Sequence, residues 1–599
     1  MVIKPIFHNV LRFGSFPLHG SGEGILARAA NASVPPLVNF QVQQPPALPY
    51  DVKCTVVLTH HLFGNSYYQP AIIDYIPPSN CGPVGKWAGI SMNLTGTSNG
   101  TQYDRLAAVT FSQVEIWRTS TAEPTKTGII WTVLKDVSRY MPLFAQPGRM
   151  ILDLNNIIDP KLRLTGEYDV TLSATFHEAT HSYPAARSSD LIIPLSNLSP
   201  DQPNYFSVPP SYNMTVFFPT NIAEAYAEIY ASGNAQEEFW YLNAADEYFG
   251  YIPPNTTYQT GPFREVRVLV DGQLAGVAFP YPVIFTGGIL PSLWRPISAY
   301  GSLDQPTYKV DLTPFVPVIA DGKEHIITLD VASAETKHNI LGNWYLSGNI
   351  QIIQDSTLKP TKGKILHYSA PFYASSDTSG TVTPQNGYND VNITVTAIHK
   401  LNIVSEITTG SGKTTLVKWS QDLSYKNFQS FTQNGSYQIL HQTAFGHSLS
   451  MHNGVPAVLD KFTYPLDVIY YDISFRNTTG WYASVDHSYD RNELPSPFID
   501  GSYITTRQYG SGTWLKTNDV VIANGTTTES FKYLDNLGNS YYRDVSSTNS
   551  SITKDKEGGT LAGTWPRPWA RGGSSGVPRS GAHNGFVGRL LAKGRITVR

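Results

Sequence analysis

At 599 residues the chain is longer than one hydrophobic core usually serves, so two or three domains are expected. A formal net charge of -3, from 43 Lys+Arg against 46 Asp+Glu, supplies no field that would draw nucleic acid or an anionic membrane surface. Only 15% of residues are charged while 41% are hydrophobic, which excludes a disordered chain and suits a secreted all-β protein with a hydroxyl- and amide-rich surface.

Residues 1–48 read as an N-terminal extension. Met1 to Ala30 carries Lys4 and Arg12, but His8, Gly14 and Pro17 break its apolar residues, so no signal peptide is evident. Pro35-Pro36 and Pro45-Pro46 precede the first expected strand. Residues 49–190 are expected to form a first jelly roll. Within it Tyr168, Val170, Leu172, Ala174 and Phe176 alternate with polar residues, the pattern of a half-buried strand. Six prolines between residues 183 and 211 mark a linker or crossing segment.

A second jelly roll is expected over 191–356. Asn221 to Tyr230 fits a helix, yet Ala-Tyr-Ala-Glu-Ile-Tyr also alternates like a strand. Val266 to Val270, then Asp271-Gly272, then Gln273 to Ala275 spell a hairpin with a primed turn. A break near Ser356–Pro360 opens a C-terminal β domain, 357–550, where Val391, Ile393, Val395 and Ala397 alternate with polar residues. From 551 to 599 no periodic pattern is visible, and acidic residues are absent after Glu557. That tail is expected to be disordered or an erroneously predicted gene end. These patterns give an all-β chain of sandwiches or jelly rolls; its arrangement as two jelly-roll sandwiches side by side plus a further C-terminal β domain is what the resemblance described below implies. No stretch reaches the ~18 apolar residues of a membrane-spanning helix.

Two cysteines, Cys54 and Cys81, fit one disulfide, worth roughly 3.5 kcal/mol of loop-closure entropy; two free thiols in a cytosolic protein are the alternative. Eleven Asn-x-Ser/Thr sequons favour the secretory route. They fall at Asn31, Asn93, Asn99, Asn197, Asn213, Asn255, Asn392, Asn434, Asn477, Asn524 and Asn549. A secreted, vacuolar or lysosome-like location follows.

Two motifs invite other chemistry. His177-Glu178-Ala179-Thr180-His181 has the zinc-protease spacing, but that chemistry needs a helix, and here the run continues an alternating strand toward Pro184. Gly410 to Thr415 resembles a phosphate loop, yet Ile407 stands where the pattern demands its first glycine. It reads as a hairpin tip.

The strongest signals are Gln102-Tyr103-Asp104-Arg105 and Gln236-Glu237-Glu238-Phe239-Trp240-Tyr241, each setting a carboxylate among aromatic residues. The first leads into Val114 to Pro124. Further on stand Val283 to Ile289 and Leu293-Trp294-Arg295-Pro296. Together these runs resemble the eukaryotic acid-type peptide:N-glycanase A family, amidases that remove whole N-glycans from glycopeptides. Residues 50 to 355 are also distantly similar to the bacterial peptide:N-glycanase F, a pair of jelly rolls. Its key aspartate lies in a Trp-Asp-Arg run, similar to Tyr103-Asp104-Arg105, and its second acid in Ala-Glu-Trp, similar to the run around Glu238. A third, contributory glutamate has no clear match, Asp153 and Asn155 being the nearest positions.

The resemblance implies hydrolysis of the asparagine–N-acetylglucosamine amide, activity at acidic pH, and no metal or cofactor. N-glycosylated peptides or unfolded glycoproteins are the implied partners. Such a reaction needs an activated water, a stabilised oxyanion and a proton for the leaving glycosylamine, work that one ionised and one protonated carboxyl can divide. Asp104 and Glu238 are the expected catalytic pair. Strand alternation separates Arg105 from Asp104 unless a strand end relaxes it. Glu115, Trp117, Arg118 and Glu123 form a polar-aromatic cluster that either lines the glycan cleft or holds a structural ion pair. Arg105, Glu115, Trp117, Arg118, Trp240 and Arg295 are the expected substrate contacts. A glycan-binding sandwich without catalysis is the alternative function, and the shared facing of Asp104 and Glu238 is what separates the two.

Overall fold

The computed structural model describes residues 35–49, 53–518 and 520–564. The Asn31 sequon, the extension before Pro35 and the tail after Thr564 lie outside the described residues. The molecule is built almost wholly from antiparallel strands, in two sandwiches and one long single sheet.

The first sandwich packs a five-stranded sheet on a four-stranded one. In the larger sheet the order is Leu37–Asn39, Ile129–Asp136, Trp87–Ser98, Tyr168–Glu178 and Lys53–Phe63. The smaller runs Ala71–Tyr75, Gly148–Leu154, Leu106–Phe111 and Val114–Ser120. Tyr168–Glu178 alternates as expected, and its inward residues join Trp87, Trp131 and Leu152 in one core. Leu37–Asn39 lies inside the stretch expected to precede the first strand. It pairs in parallel with Ile129–Trp131 and is too short to show a period. Phe40 and Val42 beyond it pack on Phe531, Tyr533 and Tyr541 of the C-terminal sheet.

The second sandwich pairs Leu191–Leu195, Trp344–Gln354, Ile222–Gly233 and Tyr308–Asp311 against Tyr212–Phe217, Glu324–Ala332, Glu265–Val270 and Gln273–Ala278. Ile222–Gly233 settles the open choice at Asn221 to Tyr230 in favour of a strand, whose Ala225, Ala227 and Ile229 enter the core. The hairpin turns at Asp271 (φ 48°) and Gly272 (φ 77°), both left-handed as a primed turn requires.

Residues 362–558 form a single eleven-stranded sheet with strands up to 21 residues long. Along Asn389–Thr408 every second residue from Val391 to Ile403 is buried, packing Val391, Ile393, Val395 and Ala397 on the second sandwich. Gly410–Lys413 forms the hairpin tip after this strand. The expected disordered tail is corrected at its start. Ser551–Gly558 is a strand paired with Ser540–Thr548. Its pairing relies on polar contacts, Arg543 with Asp555 and Tyr541 with Glu557, so hydrophobic periodicity gave no sign of it.

The two sandwiches are bolted together by buried charges. Arg118 grips Glu115 through two bonds of 2.7 Å, and its remaining Nη1 donates to Ser232 Oγ (3.1 Å) and Tyr345 O (2.6 Å) across the seam. Ser347 also donates to Glu115. Glu228 of the second sandwich likewise accepts from Arg139 (2.6 Å) and Tyr140 (2.8 Å) of the first. Removing one member of such a pair strands a charge away from water. Arg118→Ala is expected to destabilise the protein by about 3–5 kcal/mol in denaturant melts. A loss under about 1 kcal/mol, the range of an exposed pair, would contradict this role.

Candidate active site

Three segments, distant in sequence, come together where the sandwiches join. The first is the loop before Leu106–Phe111, in which every residue of the Gln-Tyr-Asp-Arg run has a task. Buried Gln102 donates to Ile157 O (2.9 Å) and accepts from Tyr103 N (3.0 Å) and Arg105 Nη2 (2.7 Å). Tyr168 OH holds Tyr103 O at 2.6 Å, and Arg105 N donates to Thr121 Oγ1 at 2.9 Å. Asp104 is thereby left half-buried. Arg105 turns aside to Asn156 Oδ1 (3.3 Å), so its charge acts on Asp104 without a direct pair.

The second segment follows Ile222–Gly233. Adjacent glutamates diverge here. Glu237 is sealed, chelated by Arg264 (2.6 and 2.8 Å) and bonded by Trp344 Nε1 (2.8 Å) and Leu341 N (2.9 Å). Glu238, the next residue, is half-buried. A Cβ at Gly233 would collide with Glu237 O, so this tight return needs glycine.

The third segment is the loop from Phe285 to Arg295. Gly287 N donates to Asp104 Oδ2 at 2.9 Å. A Cβ there would lie 2.5 Å from Glu123 Oε2 and 2.7 Å from Asp104 Oδ1, so two carboxylates crowd a single point that only glycine leaves free. A Cβ on Gly288 would stand 3.3 Å from Phe239 Cε1, which brings the Glu238 turn against the same loop. Arg295 Nη2 reaches Glu123 O (3.1 Å), Pro124 O (3.3 Å) and Glu123 Oε1 (3.3 Å).

The C-terminal sheet backs both of the later segments. Asn427 donates to Tyr241 O (3.1 Å) and Gln429 to Asn243 O (3.0 Å) behind Glu238. Thr527 donates to Leu293 O (2.5 Å) and Trp481 to Ile289 O (3.3 Å) behind the Gly287 loop. Its contribution to the site is rigidity.

Electrostatics separates the carboxyls. Burial pushes Glu238 up to about 8, and the charge of Asp104 adds to the push with no cation opposing it. Glu123 rises to about 7 through burial, with Arg295 pulling down and Asp104 pushing up. Asp104 is also raised by burial, but the Gly287 N–H, Arg105 and Arg295 all favour its ionised form. Cations and a backbone N–H thus favour the ionised form of Asp104, and nothing comparable opposes the rise of Glu238.

The same shifts bear on stability. In the folded chain Glu238 and Glu529 rise from 4.5 to about 8, Glu123 from 4.5 to about 7, and His452 from 6.5 to about 9. Between 6.5 and 9 the folded state thus holds protons that the unfolded state has released. The contribution is full below 4.5 for the glutamates and below 6.5 for His452, and what remains of it at pH 6.5 is lost as pH rises toward the folded values. His487, lowered to about 3, opposes this only below 6.5. Tm is expected to fall by roughly 5 °C or more from pH 6.5 to 9 in calorimetry; a flat or rising profile would refute the shifts.

Of the expected substrate contacts, Arg105 and Arg295 stand at the site, while Glu115, Trp117, Arg118 and Trp240 are corrected. Glu115, Trp117 and Arg118 are fully buried at the seam, with Trp117 Nε1 on Leu303 O (3.3 Å), and Trp240 is core, packed on Trp344. Glu123, past the end of the same strand, does reach the site; its place next to Pro124 was the available signal. Cys54 and Cys81 form the expected disulfide. His177 lies on a strand and points inward to Ser91 (3.1 Å) and Pro49 O (2.7 Å), while Glu178 and His181 are exposed, so the zinc-protease spacing lacks its helix. Among the described residues no helix is long and apolar enough to cross a membrane.

Joined β-sandwiches that bring Asp104, Glu123 and Glu238 together beside Arg105 and Arg295 hold the groups that a hydrolase working by acid–base chemistry needs. Residues 37–371 match the family described as Peptide N-acetyl-beta-D-glucosaminyl asparaginase amidase A, and residues 392–466 match the PNGase_A C-terminal domain. The chain belongs to this amidase family. The Peptide-N4-(N-acetyl-beta-glucosaminyl)asparagine amidase A of Prunus dulcis is 32% identical over 558 residues, covering 88% of this chain and 93% of that one. A solved structure titled "Structure of PNGF-II in C2 space group" is 10% identical, covers 51% of this chain and 66% of that one, and has a TM-score of 0.32, too low to build on.

Proposed function

We propose that this family member hydrolyses the amide between asparagine and N-acetylglucosamine in N-glycosylated peptides and unfolded glycoproteins, with Asp104 and Glu238 dividing the proton work. The observation that carries this is the mutual field of the two acids: Asp104, bonded by Gly287 N, pushes Glu238 toward its protonated form. Asp104 takes a proton from water as the oxygen adds to the side-chain carbonyl carbon. Arg295 and protonated Glu123 stand nearby to stabilise the oxyanion. Glu238 gives its proton to the nitrogen as the C–N bond breaks, leaving aspartate and a glycosylamine that loses ammonia in solution. A purely glycan-binding protein has no use for carboxyls of opposed protonation. The test is incubation of a glycopeptide with the purified protein. Peptide about one mass unit heavier than the asparagine form supports the reading, and intact glycopeptide overturns it.

The disulfide and the sequons support passage through the secretory pathway. Asn99, Asn213, Asn255, Asn434, Asn477, Asn524 and Asn549 are exposed, and Asn93 and Asn392 half-buried on strands. Asn197 is unsuited to a glycan, because its amide nitrogen donates to Pro203 O and Tyr205 O, each at 2.9 Å. Peptide mapping of secreted protein is expected to find glycans at exposed positions and Asn197 bare; a glycan-free secreted chain would count against this route.

A further inference from the structure

With Trp117 and Trp240 buried, the aromatic side chains expected to stack on the sugar are not available to it. Other rings are. Tyr67 and Tyr68 are 46% and 80% exposed on a turn of the first sandwich, Tyr68 more than any other tyrosine among the described residues. Tyr68 is held there in a left-handed conformation (φ 60°), its N–H donating to Asn155 Oδ1 (3.3 Å) and the turn closed by Gln69 N on Ser66 O (3.0 Å). A bulky residue kept at positive φ and pushed into water is costly unless the ring has a use there. Across the seam Tyr205 and Tyr345 of the second sandwich lie with ring centres 4.5 Å apart, half-buried. Asn155 ties the two sides together: it accepts from Tyr68 N and donates to Asp153, which also accepts from Tyr205 OH across the seam.

We propose that Tyr67, Tyr68, Tyr205 and Tyr345, with Asp153 and Asn155, form a carbohydrate subsite that holds the glycan beyond the reacting sugar. It rests on the amidase reading above. The subsite adjoins both acid-bearing segments. Asn156, next to Asn155, accepts from Arg105 beside Asp104. Asn343, two residues before Tyr345, exchanges backbone bonds with Asn234 (2.9 and 3.2 Å), at the start of the turn carrying Glu238. A glycan leaving the catalytic site on this side runs over the tyrosines.

The chemistry suits sugars. Flat amphipathic rings fit the C–H faces of pyranoses. Asp153 accepts from Tyr205 OH (2.9 Å) and Asn155 Nδ2 (3.1 Å) on one oxygen only. Its other oxygen is buried without a partner among the described residues, an acceptor in reserve for a small side-chain shift. Arg118, 5.8 Å from the Tyr205 ring centre, is committed to Glu115 and the seam. Nothing here grips a charged peptide, whereas neutral hydroxylated rings meet both a stacking surface and hydrogen-bond partners.

The test uses one peptide carrying either a single N-acetylglucosamine or a complete N-glycan. Tyr68→Ala, at an exposed position, is expected to raise KM about tenfold for the complete glycan with kcat kept, and to leave the single-sugar substrate unchanged. Free N-glycan titrated into Asp104→Asn protein is expected to bind about tenfold more weakly when Tyr68→Ala is added. Equal effects on both substrates, or undiminished glycan binding, would overturn the subsite. Absence of cleavage by the unaltered protein would instead overturn the amidase reading, and the titration would still decide the subsite.

Discussion

Asp104→Asn is expected to lower kcat/KM for glycopeptide by about 10⁴-fold, with Tm nearly unchanged. Asparagine keeps the shape and can still accept from Gly287 N, so the loop that crowds Asp104 and Glu123 stays in place. What disappears is the carboxylate whose ionised form the Gly287 N–H, Arg105 and Arg295 favour against burial. The substitution also removes the charge that pushes Glu238 upward, so the Glu238 carboxyl should titrate below about 8 in the variant. A fall in activity without that downward move would place Asp104 outside the electrostatic pair. A variant retaining a tenth or more of the activity would remove it from the chemistry.

Glu238→Gln is expected to cost about 10²- to 10³-fold in kcat/KM, and its signature is the shape of the pH profile. With Glu238 raised to about 8, the free enzyme holds its acid protonated through neutrality and loses activity as pH climbs through that value. Glutamine carries no titrating proton, so the alkaline limb should vanish and leave low, flat activity. An alkaline limb that persists near 8 would assign it to another group. Glu237→Gln makes an informative contrast, since Glu237 serves Arg264 and Trp344 inside the core and its loss should appear in stability first.

Much of this was legible in the residues, for reasons that also explain what was not. Strands buried on one face, such as Tyr168–Glu178 and Asn389–Thr408, announce themselves by period two. Val114–Ser120 does not follow that logic, because it lies between two sandwiches and every residue is buried. Alternation there cannot tell a cleft-lining side chain from a sealed one, so Glu115, Trp117 and Arg118 looked like site residues while serving the seam. Glu123 escapes the strand by three residues and reaches the site. Asp104 and Glu238 could be chosen from their runs, but not the loop that joins them: Gly287 contacts Asp104 across 183 positions, a pairing no local pattern encodes. Separating Glu238 from Glu237 likewise required Arg264, 27 residues on. Ser551–Gly558 stayed invisible because charge pairs, not apolar periodicity, hold it.

The central claim is that Asp104 drives water onto the side-chain carbonyl carbon of asparagine. Running the reaction in heavy-oxygen water reads this directly. The account predicts one heavy oxygen in the new aspartate carboxyl of the released peptide with the unaltered protein, and almost none at equal times with Asp104→Asn. A peptide released as unlabelled asparagine, meaning cleavage on the sugar side of the nitrogen, or label undiminished in the variant, would contradict it.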